Sequence, residues 1–392
     1  MHTLPLAGIR ILEFGGYIAV PYAGSILGSL GADVIKIERP DTGDEFRRRQ
    51  DDQSLYFRQY NAGKRSLAVD LKAPAGADLV CRLLPTVDIV IENFRPGKMD
   101  RLGLGREHCV AVRPDLLYMS VTGFGESGPM ALRPAYDMIG QAFGGLLATL
   151  SDRDAAQLTG TCLADLVTGL SCATGILAGL VGRAASGSAP RIDTSITEAI
   201  STLTIDAMTQ LFDSGSAPHR QSRHPQAQNF CLKTSTGDFV TLHLSSSQKF
   251  WESLIDTVGR PELLTDERFA TYPDRVRNYA DLAKILEGEF LLRPFDAWET
   301  ALIERDVPFA PVLDVADYRD HPQVEALGVI APEVDGLALV RVPWRFDGGR
   351  PDRAPRTPRV GEHSLDVAAE VCDDAELREL TAAGVLFSPA TR

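Results

Sequence analysis

"GIRILEFGGYIAVPYAGSILGSLGADVIKIERP", residues 8–40, changes period twice within one short span. "GIRILEF" (8–14) is a brief β-rich run, "VPYAGSILGSLG" (20–31) reads as a helix closing on Gly31, and "ADVIKIE" (32–38) is a second strand stopped by Pro40. Strand, helix and strand at this spacing make a βαβ unit, with two parallel strands in one sheet and the helix across its face. The pattern continues downstream. "RSLAVDL" (65–71) predicts a strand, "APAGADLVCRLLP" (73–85) a helix with proline in its first turn, and "VDIVIENF" (87–94) another strand. A short helix follows around Lys98 to Leu102, and "DLLYMSVTGFG" (115–125) runs as a strand into a glycine loop. The expected class is α/β with a mostly parallel sheet. Ligands of such sheets bind beyond the carboxyl ends of the strands. That rule singles out Gly15, Gly16, Arg39, Asn93, Phe94, Thr122 and Gly123.

Beyond this series the character changes. From about 136 to 212 the pattern is helical, and the polar stretch 213–229 reads as a linker. "FCLKTSTGDFVTLHL" (230–244) predicts a hairpin, and charged helical segments follow, so 230–325 is expected to form a smaller α+β domain beside a large one over 1–212. Residues 326–392 hold an expected strand pair (337–346), a Pro/Arg-rich stretch (350–359) and a closing helix (365–384).

Composition narrows the function classes. A hydrophobic fraction of 44% with 24% charged residues is that of a soluble globular protein. The net charge of −13 argues against nucleic-acid binding, which needs a basic surface. Six scattered cysteines without a C-x-x-C pair fit reduced thiols, and the start "MHTLPLAGIRILEF" lacks a signal-peptide pattern, so a cytoplasmic protein is expected. The apolar run Leu166–Gly182, about seventeen residues long and broken by glycines, is short for a membrane span and reads as a buried helix. His219 and His224 lie in the polar linker, and no metal is expected.

Motif by motif, several chemistries drop out. The turn after the first strand reads "GGYIAVPYAG" rather than G-x-G-x-x-G, so a nicotinamide dehydrogenase lacks its fingerprint, and no P-loop or G-x-S-x-G occurs. Basic residues recur near expected strand ends: Arg39, Lys64, Arg65, Lys72, Arg95, Lys98 and Arg101. They are either solvated surface charges or a cradle for a phosphorylated, nucleotide-like ligand. Asp165 is the only charged side chain in "TGTCLADLVTGLSCATGILAGLVG" (159–182). It reads either as the N-cap of the apolar helix or as a carboxylate fixed and shielded for use as a nucleophile.

Taken together, "PLAGIRILEF", "LGSLGADVIKIERPDTGD", "YNAGKRSLAVDLK", "DIVIENFRPGKMDRLGLG", "YMSVTGFGESGP", "AYDMIGQAFGG", "TCLADLVTGLSCATGILAGL" and "RTPRVGEHS" resemble, in order and spacing, the class III CoA-transferases of CaiB/BaiF type, including the formyl-CoA transferases. The resemblance implies an interlocked, ring-like homodimer. Each subunit would have a Rossmann-like large domain built from both chain ends, 326–392 returning to it, and a small domain inserted between. It implies coenzyme A as co-substrate, with an acyl-CoA donor and a carboxylic acid acceptor. The catalytic aspartate falls on Asp165. CoA contacts fall on Tyr17, Ile18, Arg39, Val69, Lys72, Asn93, Phe94, Arg101, Leu102 and Tyr136, and the acyl pocket on Tyr136 and Asp137.

In such enzymes the aspartate forms an acyl anhydride and then an aspartyl-CoA thioester, with backbone N–H groups near the helix start as candidate oxyanion donors. Two departures bear on specificity. Formyl and oxalyl relatives carry glycines where "SSSQKF" (245–250) stands here, and the racemase branch has histidine where Tyr136 stands. The alternatives are thus an α-methylacyl-CoA racemase, lacking its expected base, and a CoA-binding protein without catalysis.

Overall fold

The computed structural model describes residues 4–40, 42–50 and 54–389. The chain divides into two compact units, one of residues 1–147, 158–206 and 326–392, the other of 148–157 and 207–325. The second unit therefore takes in 148–157 and begins at 207, and the stretch 213–229 is not bare linker, since it holds the end of the helix Ile205–Ser214 and the short helix His224–Ala227.

The larger unit is built on seven strands: β1 (Arg10–Phe14), β2 (Asp33–Glu38), β3 (Arg65–Val69), β4 (Ile89–Glu92), β5 (Leu117–Thr122), β6 (Arg191–Ser195) and, near the other chain end, β10 (Leu386–Phe387). Their order is β10-β3-β2-β1-β4-β5-β6, parallel except for β10. Alternate residues feed two cores. Leu12, Phe14, Ile35, Ile37 and Val90 face one side, and Ile11, Val34, Ile89, Ile91, Leu117 and Met119 the other. A sheet buried on both faces explains why these strands read as continuous apolar runs. The chain reverses direction of winding between β1 and β4, the switch point at which doubly wound sheets open a crevice.

The first helix, Ala19–Ser29, and the long helix Leu163–Ser186 pack together on one face. Gly169 makes that approach possible: a Cβ there would stand 2.8 Å from both the Ala19 carbonyl oxygen and the Tyr22 ring. The long helix is apolar enough by length and composition to cross a membrane, yet Cys172, Ala173 and Ile176 are core residues of this unit.

Three expectations need correction. β6 lies within the region read as helical. The stretch 337–346 contains only the isolated bridges Ile330–Val340 and Val334–Leu337, not a strand pair. The closing helix is broken into Ser364–Ala368 and Asp374–Ala382, followed by β10. Val367, Ala368, Leu380 and Leu386 pack into the large core, so the C-terminal segment is part of the larger unit.

The smaller unit has the antiparallel sheet β7 (Asn229–Lys233), β8 (Phe239–His243) and β9 (Phe309–Pro311) in that order, with the expected hairpin. Its core includes Trp251 and Trp298, the latter stacked on Phe290 at 4.2 Å. The Ser245–Ser247 stretch is a strand-to-helix turn: Ser245 takes φ 54°, and the Ser247 hydroxyl caps the helix Gln248–Val258.

Candidate active site

The switch point is stitched shut by one side chain. Asn93, just after β4, donates from Nδ2 to the Gly16 carbonyl at 3.1 Å and accepts from the Gly16 N–H at 3.3 Å. Below it, Lys36 is fully buried and donates to the Gly15 carbonyl at 2.5 Å, to Glu13 at 3.1 Å and to Asp44 at 2.8 Å. Neighbouring Lys64 is equally buried and holds Glu13 at 2.7 Å. These pairs fix the turn after β1, where Tyr17 adopts φ 63°, a conformation that costs a non-glycine residue about 1 kcal/mol or more. The strained turn aims the Tyr17 ring between Phe46 and Tyr136, each 5.3 Å away edge-on. Burial and the Tyr136 hydroxyl push Tyr17 up to about 12, so it stays neutral at working pH.

Two adjoining cavities open along this rim. The first, about 550 Å³, is lined by Arg39, Val69, Lys72, Phe94, Leu102 and Gly384 among others. The second, about 300 Å³, is lined by Tyr17, Ile18, Asn93, Phe94, Tyr136 and Asp165. They share Gly16, Glu45, Phe94 and Lys98. Of the ten positions expected to contact CoA, nine line one cavity or the other; Arg101 lines neither. Lys64 and Arg65, grouped with the strand-end cations above, belong elsewhere. Lys64 is locked on Glu13, and Arg65 opens β3 at the opposite rim, paired to Asp33.

Lys98 and Glu45 are functional positions that the sequence reading did not assign. Lys98 sits 3.6 Å over the Phe94 ring, and burial lowers its basicity. Glu45 pairs with Arg39 at 3.0 Å. Lys98 stood among the recurring cations; for Glu45 no sequence signal separated it from surface acids. A larger cavity of about 710 Å³ in the smaller unit, around β7, gathers none of the expected residues.

The long helix begins at Leu163, so Asp165 is its third residue and Cys162 holds the N-cap position without a side-chain cap. The cap comes from another helix. Asp137, first residue of the helix Asp137–Phe143, accepts from the Ala164 N–H at 2.8 Å and the Asp165 N–H at 3.1 Å. Its other oxygen accepts from Gln141 Nε2 at 2.6 Å, and Gln141 in turn donates to the Thr161 carbonyl. This corrects two readings. Asp165 is not the N-cap, and two N–H groups foreseen as oxyanion donors are already occupied. Asp137 acts on the helix start and does not line the cavity, whereas Tyr136, 59% exposed, does.

Asp165 is 9% exposed, and burial, followed by the nearby Asp137 charge, raises its carboxyl from the ordinary 3.8 to about 7. A helix N-terminus favours an anion by up to about 1 kcal/mol, but here desolvation and the like charge outweigh it. The result is a shielded carboxyl at the end of a cation-lined groove. Among the described residues no cluster of three or more His, Cys, Asp or Glu could hold a metal.

This arrangement has known counterparts. The family model described as CoA-transferase family III matches residues 6–364. The chain is 30% identical to a mouse succinyl-CoA:glutarate CoA-transferase, covering 99% of this chain and 92% of the relative. It is 32% identical to a succinate–glutarate CoA-transferase of Agrobacterium fabrum (94% and 96% covered) and 32% identical to an acetyl-CoA:oxalate CoA-transferase of Acetobacter aceti (93% and 95%). A crystal structure of a CaiB/BaiF family protein from Brucella suis superposes with a TM-score of 0.82 at 34% identity, covering 95% of this chain and all of that one. A hypothetical protein from Mycobacterium tuberculosis gives 0.83 at 28% identity, covering 93% and 98%. The protein therefore belongs to CoA-transferase family III, and it is a CoA-transferase with CoA as its co-substrate.

Proposed function

We propose that the protein moves CoA between carboxylic acids with Asp165 as the nucleophile. The observation that carries this reading is the placement of a shielded carboxyl in the cavity next to the one lined by Arg39 and Lys72. CoA would lie along the shared waist, its phosphates toward Arg39, Lys72 and Lys98 and its thiol end toward Asp165. The Asp165 carboxylate attacks the donor thioester carbonyl; the C–S bond breaks, giving an acyl-aspartyl anhydride and CoA thiolate. The thiolate attacks the aspartyl carbonyl, releasing the donor acid and leaving an aspartyl-CoA thioester. The acceptor carboxylate then displaces the thiolate to form a second anhydride, and thiolate attack on the acceptor's acyl carbon frees the product and regenerates Asp165. Burial suits this cycle twice, because it strips solvation from the attacking carboxylate and keeps water from two hydrolysable intermediates.

Relatives that exchange CoA with succinate, glutarate or oxalate define the acids to try first. Incubation with succinyl-CoA or acetyl-CoA and a panel of acids, read by mass spectrometry of new CoA esters, tests the reading. Asp165→Ala must bind CoA and transfer nothing; a variant that still transfers overturns the mechanism. The homodimer is part of the same proposal. It is supported by large apolar side chains left exposed in the larger unit, among them Ile139, Phe143, Leu170 and Val181, and sedimentation at the monomer mass would refute it.

A further inference from the structure

The two cavities differ in what their cations can serve. CoA carries all its phosphates on the nucleotide half, and the pantetheine arm that brings the thiol to the reacting carboxyl has no charge. Arg39 and Lys72 line the first cavity, and Lys98 lines both. Arg95 and Arg133 line only the cavity that contains Asp165. Arg39 is paired with Glu45, whereas neither the Arg95 nor the Arg133 guanidinium bonds a side chain or carbonyl among the described residues. Two uncommitted guanidiniums beside the end of an uncharged arm have no phosphate to hold, so they fit a second anion.

Their backbones are well placed to present them. Arg95 follows Phe94, whose N–H is held by the buried Glu92 carboxyl at 2.7 Å. Arg133 lies in the loop after β5, where Gly123 packs so closely on Ala135 that a Cβ would stand 2.5 Å from the alanine methyl. The Arg133 N–H closes a turn onto the Met130 carbonyl at 2.9 Å.

We infer that Arg95 and Arg133 bind the distal carboxylate of a dicarboxylic acid, which makes the acids exchanged at Asp165 short diacids. This rests on the transfer reading above. In that cycle the distal carboxylate is never consumed. It stays anionic through both anhydrides and the product thioester, so a guanidinium fork holds the acid in one register from start to finish. A cavity of about 300 Å³ suits a short diacid and the thiol end of CoA.

The test uses the full chain, succinyl-CoA as donor, and acceptors matched in length, glutarate against valerate and adipate against hexanoate. Arg95→Met and Arg133→Met are expected to raise KM for the diacids roughly tenfold each, the loss of one charged hydrogen bond, with kcat nearly unchanged. Affinity for CoA by calorimetry and transfer to monoacids should stay at wild-type levels, and the Lys variants should recover part of the loss. Equal losses for diacids and monoacids, weakened CoA binding, or a wild-type preference for monoacids would each overturn the inference. Transfer confined to monoacids sinks this inference alone, whereas CoA binding without transfer to any acid sinks the transfer reading beneath it.

Discussion

The two rims of the large sheet carry similar charges and use them in opposite ways. At the amino ends of the strands every charge answers another. Asp33 accepts from Arg10 at 3.2 Å and Arg65 at 2.5 Å; Arg10 also holds Glu370 at 2.6 Å. Asp88 takes Arg113 at 2.9 Å, Arg183 at 3.3 Å and the Arg10 N–H at 3.0 Å. At the carboxyl ends, Lys72, Arg95 and Arg133 have no such partners among the described residues, and a buried acid, Asp165, faces them unpaired. A rim whose charges neutralise one another supports the fold. A rim whose charges are left over is built to receive something.

The largest expected effect separates the rims most sharply. Asp165→Ala should lower transfer at least ~10³-fold, as loss of a covalent nucleophile does, while leaving CoA affinity within twofold; steady-state kinetics with calorimetry checks both. Next, Arg39→Ala and Lys72→Ala should each weaken CoA binding about tenfold, the worth of one charged hydrogen bond, without changing the melting temperature.

The third prediction concerns protons. Asp165 has its carboxyl at about 7 in the fold against an ordinary 3.8, so the stability it confers is full below about pH 4 and is lost as pH rises through 7. Asp165→Asn should therefore melt above wild type at pH 8, with the gap closing between pH 7 and 4. Activity needs the carboxylate, so kcat/KM should fall on the acid side near pH 7. Asp137→Asn removes the like charge and should move that limb to lower pH; an unmoved limb would break the link between the two aspartates.

The smallest effects lie at the opposite rim. Asp88→Ala strands two guanidiniums and an N–H and should cost about 2 kcal/mol, measured by denaturant melts, with kcat unchanged. Asp33→Ala, more exposed, should cost no more than about 1 kcal/mol.

Much of this was legible in the chain because its signals are local. Strands β1 to β5 declare themselves as apolar runs ended by glycine or proline, and their carboxyl ends led directly to Gly16, Arg39 and Asn93. β6 escaped because "RIDTS" is a short, polar edge strand after a long helix, with its outward residues solvated. β10 escaped because two residues carry no period at all. The cap on the long helix escaped for a different reason. Asp137 lies 28 residues before the carboxylate it restrains, and no spacing rule connects two helices that meet only in three dimensions. Asp165 looked like a cap because its sequence neighbours fit one; the acid that does the capping was read as pocket lining.

The edge of the large sheet has a consequence for how the protein is made. β3 would present an open edge, but β10 pairs with Val69 and Ala68, Ser364 accepts the Ala68 N–H, and His363 bonds Ser66. Gly384, just ahead of β10, also completes the cavity that Arg39 and Lys72 line. All of these residues leave the ribosome after the whole smaller unit has been synthesised. Domains generally fold as units during synthesis, so the nascent chain must carry an exposed β-edge, the sort of surface that chaperones shield, while a later-encoded unit finishes first. The order of translation makes the ligand groove one of the last parts of the molecule to become whole.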